Sequence, residues 1–183
     1  GLSPQADIYA TDIVDVPFGV QATFHTPSGS MWAQLPVWGQ HGVLNALAAL
    51  SVGYALGISL DRMLSRLEGF SGLSNRFHFK PARMRGVRII DDTYNANPQA
   101  MRCAVDVLCQ HTDSPCVIMG DMHGLGEHAQ AYHVALGHYM RKAGVQQLWT
   151  VGRLGAKTAD AYGLGARHFP TLKACVVELS QLQ

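Results

Sequence analysis

From Gly86 onward the sequence alternates short apolar runs with segments of helical period, and no other feature constrains the fold as strongly. "GVRIIDD" reads as a buried strand. "PQAMRCAVDVLCQ" reads as a helix with Asn97 as N-cap and Pro98 at its first position. "PCVIMGD" is the next strand, followed by the helix "EHAQAYHVALGHYMRKAG", closed by Gly144. "QQLWTVG" is another, with a short helix around Ala156 to Tyr162 behind it. "ARHFP" is a short strand, and Thr171 caps a last helix, "LKACVVELSQLQ". Such repetition predicts an α/β domain: a parallel sheet covered by helices on both faces, with right-handed crossovers.

The residues before this run follow a different pattern. "DIYATDIVDV" and "GVQATFHT" alternate as strands do, "PSGS" supplies a turn, and "MWAQLPV" returns as another arm. "HGVLNALAALSVGYALG" then carries Leu and Ala at helical spacing, with Gly57 where a C-cap glycine belongs. "SLDRMLSRLEGF" sets Leu60, Met63, Leu64 and Leu67 on one face, with Ser59 as its N-cap. After "SGLSN" the pattern changes, which places a domain boundary near Ser71 to Asn75. The opening holds too few strands for a domain of its own, and a further strand could follow the last helix. The expectation is therefore a piece of a longer protein.

Composition narrows the functional classes. With 48% hydrophobic and 15% charged residues the chain can bury a real core, as an ordinary soluble globular protein does. The net charge is +1 and the Lys and Arg residues are scattered, which argues against a nucleic-acid footprint or a polybasic membrane surface. Cys103, Cys109, Cys116 and Cys175 form no CxxC pair and sit in apolar periodic segments, so they read as reduced core thiols. No stretch is apolar and long enough for a bilayer span, and no basic-then-apolar leader opens the chain; a cytoplasmic location is the expectation.

Open parallel sheets bind ligands beyond the carboxyl ends of their strands, and three such ends are polar here. The first runs from Asp91 to Asn97. An Asp after a strand can take both hydroxyls of a ribose, and Asn side chains at a helix N-terminus can orient a phosphate or carboxylate. The plain alternative makes Asn97 an N-cap and the acids strand terminators. The second end, "GDMHGLGEH", offers Asp121 and a glycine-rich loop without a GxGxxG pattern. The third, "VGRLG", offers Arg153, an anion partner or a solvated surface cation. His123, His128, His133 and His138 lack metal-ligand spacing, and the sequence contains neither a GxSxG elbow nor a GxxxxGK[ST] phosphate loop.

The order of "GQHGVLNALAAL", "NRF", "IIDDTYNANPQAMRCAVDVL" and "VIMGDMHGLGEHAQAYHVALG" resembles the Mur ligase family over essentially the whole chain. The resemblance implies that residues 1–70 end a central ATPase domain. Residues 71–183 then form most of a C-terminal Rossmann-like domain, incomplete at its end. It implies a ligase of peptidoglycan synthesis that joins D-Ala-D-Ala to UDP-N-acetylmuramoyl-tripeptide. ATP would activate the tripeptide carboxylate as an acyl phosphate for attack by the dipeptide amine. ATP and Mg²⁺ would be the cofactors, both bound mainly by parts outside this chain, and the chain alone would hold no catalytic residue and be inactive.

Carried over by position, His41, Asn45, Arg76 and Asp92 would bind ATP. Tyr94, Asn95 and Asn97 would line the ATP or D-Ala-D-Ala cleft, while Asp121 and His133 would shape a loop. No residue matches a metal ligand. The chain departs from the family pattern at Gly42, where Asn is usual, at Asn75, where Gly is usual, and at Gly124, where an acid is usual. The partners expected are the two small substrates, with no nucleic acid, no membrane span, and room for a homodimer through exposed central-domain strands. The competing reading is a non-catalytic Rossmann-like binding or regulatory module derived from a Mur ligase.

Overall fold

In the computed structural model, which describes residues 1–70, 72–82 and 85–181, the alternating opening becomes a three-stranded antiparallel sheet. Its strands are β1 (Tyr9–Val16), β2 (Gly19–Thr26) and β3 (Gly29–Leu35). Period-two alternation sends Ala10, Val20, Ala22, Phe24, Ala33 and Leu35 to one face, where all are buried. On the opposite face the Tyr9 ring stacks on His25, centroids 4.3 Å apart. Gly19 opens β2 at φ +146°, and a Cβ there would stand 2.1 Å from the Leu35 carbonyl oxygen; only glycine lets the strands close.

Helix α1 (Gly39–Ala55) lays Val43, Ala46, Leu47 and Leu50 into the same core. Gly57, at φ +75°, donates its N–H to the Tyr54 carbonyl and ends the helix as the sequence predicts. Helix α2 (Leu60–Glu68) adds Met63 and Leu64. Ser59 stands at its N-cap position in extended backbone, but its side chain caps no backbone N–H, contrary to expectation.

The chain divides into two compact units, Gly1–Phe77 and His78–Gln183. In the second, β6 (Cys116–Met119), β7 (Gln147–Val151) and β8 (Ala166–Phe169) form a parallel sheet in the order β6-β7-β8. The helices are α3 (Pro98–His111), α4 (Ala129–Ala143), α5 (Arg153–Tyr162) and α6 (Leu172–Leu179). Successive residues of β7 feed different cores: Leu148 packs with Val117, Leu136, Met140 and Tyr162, whereas Trp149 packs with Phe169 and Cys175. A strand covered on both faces reads as continuously apolar, which is why "LWTV" shows no alternation. Asn97, Thr171 and Gly144 cap their helices as predicted.

Three further expectations change. "GVRIIDD" is not a buried strand beside β6. Its ordered part, β5 (Arg88–Asp91), pairs antiparallel with β4 (His78–Pro81), a strand the sequence reading missed, and Ile89 is half-exposed. A partner so close in sequence is cheap to bring together, so local pairing wins. Secondly, Cys116 is exposed rather than a core thiol, while Cys103 and Cys109 are half-buried and Cys175 is buried. Thirdly, α5 begins at Arg153, ahead of the predicted start. Of the expected boundary, Ser71 lies outside the described residues, as do Leu182 and Gln183 of the predicted last helix.

Candidate nucleotide-binding turn and its supports

The turn after β5 is built around Asp91. Its Oδ1 accepts the Thr93 backbone N–H at 3.1 Å and the Thr93 hydroxyl at 2.7 Å, an Asx-type bend. Its Oδ2 pairs with the Lys80 ammonium. Lys80 lies opposite Ile89 in the hairpin, so Asp91 is its diagonal cross-strand neighbour. The Lys80 bond first, then the Thr93 bonds, lower the Asp91 carboxyl to about 2. Asp91 is thus a fully engaged anion. Asp92 follows, half-buried, and then Tyr94 and Asn95, both exposed. Asn97 closes the turn with its Oδ1 accepting from the N–H groups of Gln99 (3.1 Å) and Ala100 (2.9 Å). Its oxygen serves the cap.

At the end of β6 the geometry is that of a brace. Asp121 Oδ1 accepts the N–H groups of Leu154 (2.9 Å) and Gly155 (2.7 Å) in the first turn of α5. A Cβ on Gly152, which holds φ +97°, would fall 2.6 Å from that oxygen. The anion position of this helix N-terminus is therefore filled by the chain's own carboxylate. Arg153 beside it is exposed. His133, fully buried, accepts the Met122 N–H on Nε2 at 3.0 Å and bonds the Ala129 carbonyl through Nδ1 at 2.8 Å. That pairing assigns the proton to Nδ1. Gly124 holds φ +72° with open space where a Cβ would go, so the missing acid there reflects backbone conformation rather than crowding.

The first unit carries the other candidates. His41 lies in the first turn of α1 and Asn45 one turn later, exposed on the same side. The His41 ring meets Phe77 edge-on at 5.9 Å, which fixes the segment holding Arg76 against the head of α1. Arg76 is exposed and donates its N–H to the Leu73 carbonyl at 3.2 Å. Asn75 stands at φ +61°, the left-handed region where Asn follows Gly in preference, and this accounts for the departure at that position. Gly42 is buried; a Cβ there would sit 2.9 Å from the Val37 Cβ, so an Asn has no room. The candidates thus fall into two groups: His41, Asn45 and Arg76 in one unit, and Asp92, Tyr94, Asn95 and Asn97 in the other. Sequence reasoning missed Lys80, because "HFK" carries no periodic or motif signal.

Comparison with known proteins agrees with this architecture. The family described as "Mur ligase, glutamate ligase domain" matches residues 75–183. The UDP-N-acetylmuramoyl-tripeptide–D-alanyl-D-alanine ligase of Escherichia coli K12 is 33% identical over 98% of the chain and 40% of its own length. A crystal structure of MurF from Acinetobacter baumannii superposes with a TM-score of 0.89 at 32% identity, covering 98% of this chain and 39% of that one. The UDP-N-acetylmuramate–L-alanine ligase of Stenotrophomonas maltophilia K279a is 41% identical over 55% of this chain and 22% of its own. The chain spans about 40% of the length of the first of these relatives. Matched over more than half its residues and folded as these enzymes fold, the chain belongs to the Mur ligase family.

Proposed function

We propose that the chain is part of an ATP-dependent ligase that joins D-Ala-D-Ala to UDP-N-acetylmuramoyl-tripeptide, and that the turn after β5 forms one wall of its nucleotide pocket. The observation that carries this reading is the 33% identity, over 98% of this chain, to a UDP-N-acetylmuramoyl-tripeptide–D-alanyl-D-alanine ligase. Asp92 stands directly after β5, in the polar turn that leads into α3.

ATP supplies the phosphoryl group that turns the tripeptide carboxylate into a mixed anhydride, which the dipeptide amine can open with loss of phosphate. The residues present suit the nucleotide. In the second unit Asp92 offers two carboxylate oxygens, the chemistry that takes ribose hydroxyls; in the first, Asn45 offers an amide, His41 an imidazole and Arg76 a guanidinium, groups that suit a base or a phosphate. Asn95 and Tyr94 present polar groups to ATP or to the incoming dipeptide. Such a reaction depends on positioning and charge neutralisation rather than on a protein nucleophile. For Mg²⁺ the fit fails in this chain: among the described residues no three His, Cys, Asp or Glu side chains group as ligands, and no step is assigned to the metal here. ATP and a nucleotide-linked substrate make the cytoplasm the compartment of this reaction.

The match to the Stenotrophomonas maltophilia enzyme favours a second reading, a ligase that adds L-alanine to UDP-N-acetylmuramate. Phosphate release by the full-length protein separates the two. Release that requires UDP-N-acetylmuramoyl-tripeptide and D-Ala-D-Ala supports the first reading, and release with UDP-N-acetylmuramate and L-alanine replaces it with the second. No release with either pair leaves the non-catalytic module.

A further inference from the structure

We propose that Lys80 is a positioning residue for the turn between Asp91 and Asn97. Through Asp91 it holds the bend that carries Asp92, Tyr94 and Asn95. It also neutralises the Asp91 charge where a polyanionic nucleotide approaches. The inference rests on the proposed function for the identity of that nucleotide, but not for the bracing itself.

The geometry is specific. The β4–β5 register sets Lys80 diagonal to Asp91, so the ammonium reaches Oδ2 from the neighbouring strand while Oδ1 turns the other way onto Thr93. The carboxylate therefore links three points: β4 through Lys80, the end of β5 through its own backbone, and the bend through Thr93. Residue 92 is held between two anchored neighbours. The Lys80 side chain is 44% exposed and that of Asp91 11%, so the pair lies at the surface edge, in reach of ligand and solvent ions. Without the ammonium, the Asp91 carboxylate would present an uncompensated charge to a triphosphate bearing several of its own. Exposed pairs act weakly, so the expected effect is about two- to five-fold in nucleotide affinity. Met in place of Lys80 keeps the aliphatic stem and removes the charge; Arg keeps the charge.

The test uses the full-length protein with Lys80→Met, Lys80→Arg, Asp91→Asn and the double variant Lys80→Met/Asp91→Asn. Hydrogen exchange without nucleotide should quicken across residues 93–97 in Lys80→Met and return to the wild-type rate in Lys80→Arg. Under turnover, Lys80→Met should raise KM for ATP about two- to five-fold with kcat unchanged. The double variant should recover most of that loss, because the uncompensated charge is gone. Unchanged exchange in Lys80→Met overturns the proposal whatever the kinetics show. A KM loss that the double variant fails to recover removes the electrostatic part. If the wild type turns over with neither substrate pair, the functional reading falls, and exchange at residues 93–97 alone decides the role of Lys80.

Discussion

Asp121 Oδ1 lies 2.7 Å from the backbone nitrogen of Gly155, so a carboxylate at the end of β6 caps the helix that follows β7. Two neighbouring strand ends are tied by one charged group, and the loop that starts at Gly120 is anchored there through Asp121 and Met122.

Removing that tie should be costly. Asp121→Ala should destabilise the protein by about 1.5–3 kcal/mol, the scale of hydrogen bonds to a charged group, and Asp121→Asn by less. Chemical denaturation measures both. Gly152→Ala should also destabilise, because the new Cβ would stand 2.6 Å from the same oxygen.

His133 holds the other side of the loop. Nitrogen-15 spectra at neutral pH should show its proton on Nδ1 and an unprotonated Nε2, as the bonds to Ala129 and Met122 require. His133→Gln should retain an acceptor near Met122, whereas His133→Asn should leave the Met122 N–H unpaired. Hydrogen exchange at Met122 should therefore be faster in the Asn variant than in the Gln variant.

Acid should release the Asp91 brace. Its carboxyl is lowered from 3.8 to about 2 by Lys80 and Thr93, so its contribution to stability is complete above about pH 4 and is lost as pH falls toward 2. Over that window the wild type should lose more stability than Asp91→Asn in denaturant titrations. Parallel losses would mean that the carboxylate is not engaged.

Gly42 and Val37 should behave as a coupled pair. Gly42→Asn drives a Cβ to 2.9 Å from that of Val37 and should destabilise by about 1–3 kcal/mol, even though Asn is the better helix former of the two. Val37→Ala in the same chain should recover much of this, which a double-mutant cycle would register as coupling.

What could be read from the sequence was what is local. The strand–helix alternation from Cys116 to Leu179 is a matter of period. The caps at Asn97, Thr171 and Gly144 depend on one residue and its immediate neighbours. The site was legible as far as the polar run Asp91–Asn97 is unusual for a turn. Its internal logic was not, because nothing in the run itself shows that the hairpin brings Lys80 to Asp91. The partner of Asp121 lies more than thirty residues downstream, and nothing in "GDMHGLGEH" points to it. The pairing of β5 was misread for the same reason: a strand's apolar run does not name its neighbour. Gly42 and Asn75 stood out only as departures from a family pattern, and each is explained by packing or backbone conformation.

The most direct test of the central claim is a crystal structure of the full-length protein with ATP. The account predicts the ribose hydroxyls on the Asp92 carboxylate and the Asp91 carboxylate still on Lys80 and Thr93. Adenosine bound away from the residue 91–97 turn would contradict it.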